Sequence, residues 1–140
     1  MNTRDRINSM MRERILIIDG ATGTYLQKKG LTEDDFRGTL FPQHGTQLTG
    51  CNDVLCLTQP EIIAQMHRDY AAAGADIIET NSFNCNCFSL ADYGLQHLVY
   101  DIAKAAATLA RKVADEITDR PVFVAGSVGP TNRTASMSSD

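Results

Sequence analysis

The sequence predicts an α/β fold built on a parallel sheet. Two observations carry this. Short runs rich in β-branched residues, 14–20, 76–80 and 121–126, each end on a polar or glycine residue, as buried strands do. Between them lie segments whose apolar residues recur at spacings of three and four, the mark of helices packed on one side. Strand, helix, strand, helix, strand implies parallel pairing with right-handed crossovers. Three such strands suit an open sheet or the start of a closing barrel, which needs eight units and about 250 residues.

The elements follow in order. Residues 1–13 carry three of the four arginines before Ile15 and no apolar stretch, so they read as a frayed or helical leader and not as a secretory signal. Arg14 to Gly20 is the first strand, apolar on both faces and ended by Asp19-Gly20. Ala21 to Lys29 makes a short helix closed by Gly30. Leu31 to Asp53 has no clean period and contains Gly38, Pro42, Gly45 and Gly50, a long irregular excursion of the kind that often carries function.

Thr58-Gln59-Pro60-Glu61 reads as a capping box, with Pro60 in the first turn of a helix whose stripe is Ile62, Met66, Tyr70 and Ala73. Gly74 stops it. Asp76 to Thr80 is the second strand, and Asn81 to Asn86 a polar loop. Leu90 to about Thr118 is helical, broken near Tyr93-Gly94, with Leu98, Ile102, Ala105, Leu109, Val113 and Ile117 on one side. Pro121 to Gly126 is the third strand. Ser127 to Asp140 is the Gly/Pro/Ser-bearing loop that leaves it.

Composition narrows the function classes. The chain has 140 residues, 43% of them hydrophobic, and a net charge of −4. That balance argues against nucleic acid or an anionic membrane as the partner, since both select clustered Lys and Arg. No apolar run approaches the roughly 18 residues of a membrane span. A chain with these features and no signal is expected in the reducing cytoplasm. Cys51 and Cys56, then Cys85 and Cys87, do not show the spacing of a zinc knuckle and read as free thiols. A metal site made of these four is only weakly signalled.

Chemistry in parallel α/β folds gathers at the carboxyl ends of the strands. Those ends are Asp19-Gly20, Glu79-Thr80-Asn81 and Gly126-Ser127. Asp19 reads either as an acceptor for a substrate amine or as a turn aspartate. Gly20 would let a substrate approach backbone N–H groups. Glu79 and Thr80 are adjacent and face opposite sides of the strand, Thr80 with Ile78 and Glu79 with Ile77. Glu79 suits the rim or a structural ion pair. Gly20-Ala21-Thr22-Gly23 lacks the lysine and spacing of a phosphate loop and reads as a tight turn. His44, His67 and His97 have no partner nearby in sequence, and the last two read as ordinary helix histidines.

Four ordered segments then carry a resemblance. Asp19 to Thr24, D-G-A-T-G-T, resembles the opening of the homocysteine-binding barrel. Cys51-Asn52-Asp53 followed by Leu57 to Ile63 resembles its N-D-x-L-x-L-[ST]-x-P-E-[VI]-I segment. Gly74 to Phe83 resembles its G-A-D-I-I-E-T-N-T-F strand and loop, and Ala125 to Ser136 its A-G-x-[LV]-G-P-T-N-R-T-A-S loop. T-N-R-T-A-S is most similar to the homocysteine-binding domain of cobalamin-dependent methionine synthases.

The resemblance implies a (β/α)₈ TIM barrel, with residues 14–140 as its truncated N-terminal part, the first three βα units only. It implies methyl transfer from methylcobalamin to homocysteine, giving methionine, with methyltetrahydrofolate restoring the cobalamin on a separate domain. A thiol with a pKa near about 8.5 is mostly protonated at neutral pH, and zinc converts it to a bound thiolate nucleophile. It implies homocysteine contacts at Asp19, Gly20, Thr80 and Asn81. The family's zinc thiolates lie on later strands, including a Cys-Cys pair, so none of the four cysteines here is assigned to metal and no residue is assigned as catalytic. The chain alone is then expected to bind no cofactor and to be inactive. The alternatives are a cobalamin-independent enzyme using S-methylmethionine or betaine, and a non-catalytic truncated remnant.

Overall fold

Parallel pairing is what the backbone shows. In the computed structural model, which describes residues 1–134 and 136, β1 (Ile77–Glu79) pairs in parallel with β2 (Phe123–Ala125), in the register Ile77 to Phe123, Ile78 to Val124 and Glu79 to Ala125. On the other side of β1 the 15–19 segment makes a single parallel bridge, Ile18 to Ile77. The Ile17 carbonyl accepts from Asp76 N and Ile77 N at 2.8 and 3.1 Å, and Asp19 N donates to Ile77 O at 2.9 Å. β1 is therefore central, and the three segments stand side by side in sequence order.

The first segment departs from the buried strand its composition predicts. Ile15, Ile17 and Ile18 are 86%, 57% and 54% exposed. Among the described residues it has one neighbour, so it forms an edge, and an edge with a single bridge lacks the ladder that would hold both faces under cover.

Helices connect the strands. α1 (Thr3–Glu13) is a formed helix and not a frayed leader, because Asn2 Oδ1 caps it by accepting from Asp5 N at 2.9 Å. None of its residues is buried, and its Arg6 guanidinium lies 5.9 Å from the Phe123 ring centre. α2 (Thr22–Gln27) follows the first turn. α3 (Glu33–Arg37) lies inside the excursion expected to be irregular: Thr32 and Asp35 form a capping box there. The Glu33 carboxylate then accepts from Leu48 N, Thr49 N and the Thr49 hydroxyl, and pairs with Arg37. One side chain thus folds the far end of the excursion back onto its start.

α4 (Leu55–Thr58) abuts α5 (Pro60–Ala72), and this displaces the predicted capping box at Thr58. As the last residue of α4, Thr58 donates its hydroxyl to Val54 O at 3.3 Å, and Gln59 becomes the cap residue with no side-chain cap bond. Pro60 opens α5 as expected, and Gly74, at φ +109°, closes the turn into β1. The second crossover is broken where predicted: α6 (Cys87–Ala91) ends near Gly94, at φ +69°, before α7 (Val99–Glu116) begins.

Two apolar clusters result. One lies under the excursion, where Leu26, Phe36, Leu48, Leu55, Ile63 and Ile102 meet. The other, Ala75, Ile78, Ala110, Ala114 and Val122, joins α7 to the sheet, and its alanines allow the close approach. At the amino ends of the strands Asp76, only 2% exposed, takes Arg14 in two bonds of 2.6 and 2.7 Å and accepts Ile17 N at 3.0 Å. The Arg14 bonds hold its carboxyl down to about 2 against the opposing effect of burial. No helix among the described residues is long and apolar enough to cross a membrane.

Candidate functional site

The carboxyl ends of the strands open into a cleft of about 480 Å³. Its lining includes all four residues that the sequence proposed for the site, Asp19, Gly20, Thr80 and Asn81. It also includes Glu79, read from the sequence as suiting the rim or a structural ion pair, and Asn52 and Asp53, which were not proposed.

Asp19 stands at the end of the edge segment. Its Oδ2 accepts from Glu79 N at 3.1 Å, while Oδ1 is buried with no hydrogen-bond partner among the described residues. Burial raises its carboxyl to about 6, and the nearby Glu79 carboxylate pushes the same way. A buried carboxylate oxygen without a donor is costly unless a ligand supplies one. Glu79 shares a strand face with Ile77, opposite to Ile78, which is fully buried against α7. An acidic pair therefore sits on the open side of the sheet, where a cationic group would relieve it.

Thr80 and Asn81 are both buried, and both are already bonded. The Thr80 hydroxyl oxygen accepts from Ser127 N at 2.9 Å and lies 2.7 Å from Ser82 Oγ, which in turn donates to Ser127 O at 2.9 Å. Asn81 Nδ2 donates to Asn52 O at 2.8 Å and lies 3.4 Å from Cys56 Sγ. These two side chains tie the loop after β1 to the loop after β2 and to the 52–54 turn.

Asp53 is the residue that sequence reading passed over. It is 3% exposed, its Oδ1 accepts from Asn84 N at 3.0 Å, and burial raises its carboxyl to about 6. The signal was available: Asp53 is the lone charge in the run Cys51 to Leu57, and a single charge in an apolar run is either a surface break or a buried functional group.

The thiols do not form a metal centre. Among the described residues no group of three or more His, Cys, Asp or Glu is placed to hold a metal ion. Burial pushes Cys51 and Cys56 up to about 12 and Cys85 up to about 11, so these three are neutral thiols at physiological pH. Cys85 donates to Val99 O at 3.2 Å, and Cys87 is exposed. The residues present therefore do not fit the zinc site that the resemblance implies. Of the histidines, His44 Nε2 donates to Tyr93 O at 2.7 Å, while His67 is fully buried with neither ring nitrogen bonded among the described residues.

Residues 16–140 match the model of the homocysteine S-methyltransferase family. The chain belongs to that family. Its fold is similar to two crystal structures of the homocysteine methyltransferase MmuM from Escherichia coli. Against the metallated form the TM-score is 0.65 at 26% identity over 87% of this chain, and against the oxidized form it is 0.67 at 27% identity over 89%. In both cases the chain spans 40% of the length of the MmuM chain. The mixed α/β architecture of this homocysteine S-methyltransferase family member thus resembles a fragment of the MmuM fold, and the cleft lies at the strand ends where such folds place their chemistry.

Proposed function

We propose that these residues form the part of a methionine-forming methyltransferase that binds the amino acid end of homocysteine. The observation that carries the reading is the unpartnered, buried Oδ1 of Asp19 in a cleft it shares with Glu79. The substrate ammonium supplies the missing donor, and its charge offsets the two carboxylates. Backbone at Gly20 receives the substrate carboxylate. Thr80 and Asn81 complete the binding surface by setting the loops around it.

In this reading residues 14–140 are the first three βα units of a (β/α)₈ barrel, and 1–13 precede it as a leader helix. The methyl donor is methylcobalamin, a choice that rests on the T-N-R-T-A-S sequence from Thr131 to Ser136, of which Ala135 lies outside the described residues. Ligands for zinc, and the surfaces for cobalamin and methyltetrahydrofolate, belong to residues outside these 140. The 140 residues alone are inactive, and the intact enzyme works in the cytoplasm.

The test uses the intact enzyme. Asp19→Asn and Thr80→Val each weaken L-homocysteine binding about tenfold, the effect of losing one hydrogen bond to a charged group or the loop it holds. Zinc content stays unchanged in both. Calorimetric titration with homocysteine checks this, and unaltered affinity in both variants removes these residues from the site. Methionine formation with methylcobalamin, S-methylmethionine and betaine offered separately tests the donor.

A further inference from the structure

We infer that Tyr70, on α5 and outside the cleft, is a positioning residue that holds the Asp19–Gly20 turn in its ligand-binding shape, and that Gly20 is glycine to make room for it; this rests on the homocysteine reading above. The turn needs such support. The segment that carries Asp19 has a single bridge to β1; beyond Ile17 its backbone is held from the β1 side by Asp19 N to Ile77 O at 2.9 Å. The next residues are held from α5. The Tyr70 hydroxyl donates to Ala21 O at 2.9 Å. A Cβ built on Gly20 would lie 2.7 Å from Tyr70 Cε1, 3.0 Å from its hydroxyl oxygen and 3.1 Å from Cζ.

The backbone itself does not call for glycine at this position, since Gly20 is not among the glycines at positive φ. The tip of the Tyr70 ring fills the space that a side chain would take. A second tyrosine reinforces the arrangement. Tyr25 of α2 packs on Tyr70 with ring centres 6.1 Å apart, and its hydroxyl donates to Asp69 Oδ2 at 2.6 Å. Gln65 Nε2 holds the other Asp69 oxygen at 2.8 Å. Asp19 therefore sits between an anchor on β1 and an anchor on α5, and the direction of its free oxygen depends on both. Gly20 was expected to serve the approach of substrate to backbone; the contacts assign its missing side chain to Tyr70.

The experiment is a double-mutant cycle in the intact protein, read by calorimetric titration with L-homocysteine and by kcat and KM for methyl transfer. Each variant is first checked for a cooperative melt. Tyr70→Phe keeps the ring and loses the bond to Ala21; it raises Kd and KM about three- to tenfold and leaves kcat unchanged. Gly20→Ala weakens binding at least about tenfold, because the ring must move. In the Tyr70→Leu background, which lacks the ring tip, Gly20→Ala costs nothing further. In the Tyr70→Phe background, which keeps it, Gly20→Ala remains as damaging as in the parent. Should Tyr70→Leu fail to fold, the Tyr70→Phe affinity decides alone.

Unchanged affinity in Tyr70→Phe overturns the inference, as does a Gly20→Ala penalty of the same size with and without the ring tip. A parent protein that does not bind homocysteine overturns the proposed function and this inference with it. A parent that binds while the cycle fails overturns the inference only.

Discussion

His67 lies on α5 with no exposed surface and with both ring nitrogens unbonded among the described residues. Burial lowers its pKa from 6.5 to about 4. The folded protein therefore refuses a proton that the unfolded chain accepts. As pH falls below about 6.5 the unfolded state takes up that proton while the folded state does not, until about pH 4, so stability is complete above the window and is lost through it. At about 1.36 kcal/mol per tenfold difference in proton affinity, the full loss is about 3 kcal/mol, a large share of a domain stability of about 5–15 kcal/mol. The perturbation is His67→Leu, close in volume and without a titrating group. Urea unfolding of the intact protein and the variant, at intervals from pH 7.5 to 4.5, isolates His67 in the difference. Asp19 and Asp53 contribute with the opposite sign and cancel there, because their carboxyls are raised in the folded state. The variant should keep about 2–3 kcal/mol more of its stability across the window, and at pH 7.5 it should be no less stable than the parent, since two desolvated, unbonded nitrogens have gone. Parallel pH profiles for the two proteins would refute the reasoning.

Three further outcomes follow from the same structure. Asp76→Asn breaks the paired bonds to Arg14 at the amino ends of the strands and costs about 1–3 kcal/mol in urea unfolding; because the Asp76 carboxyl is held at about 2, the parent loses this contribution only as pH falls from about 3.8 towards 2, whereas the variant lacks it at neutral pH. Homocysteine affinity should fall as pH drops through about 6, where Asp19 takes up a proton, by about tenfold per pH unit in the limit, and titrations of Asp19→Asn should show that limb flattened. Gly129→Ala places a Cβ against the Phe83 carbonyl and 2.9 Å from its ring, so the loop after β2 must lift; limited trypsin digestion should cleave after Arg133 faster than in the parent, and equal rates would show that the loop does not depend on this contact.

The repeating order of strands and helices was legible because it rests on local patterns. Val122 to Ala125 and Ile77 to Glu79 carry β-branched runs, and Pro60, Gly74 and Gly94 mark helix boundaries by backbone chemistry alone. The four residues proposed for the site line one cleft because they stand at or beside strand ends, which the same patterns mark. What could not be read depended on neighbours distant in sequence. Nothing near Thr58 says that α4 would end on it and divert its hydroxyl to Val54. The run Ile15 to Ile18 looks buried in isolation, and its three isoleucines are exposed because among the described residues one strand stands beside it. His67 looks like an ordinary helix histidine until α5 is packed and leaves its ring without a hydrogen-bond partner among the described residues.

The cleft is held in shape more by side chains than by the sheet. β1 and β2 are three residues each, too short to fix the loops beyond them. Four bonds from distant elements do so: Tyr70 to Ala21, Asn81 to Asn52, Asp53 to Asn84 and Thr80 to Ser127. Each pairs one side chain with a backbone group of another loop; three are partly buried and the Tyr70 bond is exposed. A bond of this kind contributes about 0.5–1.5 kcal/mol, and four of them at separate points hold loops that a short ladder would leave free. In the proposed function, these bonds also bear on how the Asp19 oxygen is aimed. Thr80 is proposed as a contact to substrate; its hydroxyl is engaged with Ser127 and Ser82, and we propose that its effect on binding runs through the shape of these loops. Substitutions that spare the hydroxyl, such as Thr80→Ser, should then preserve homocysteine affinity where Thr80→Val does not.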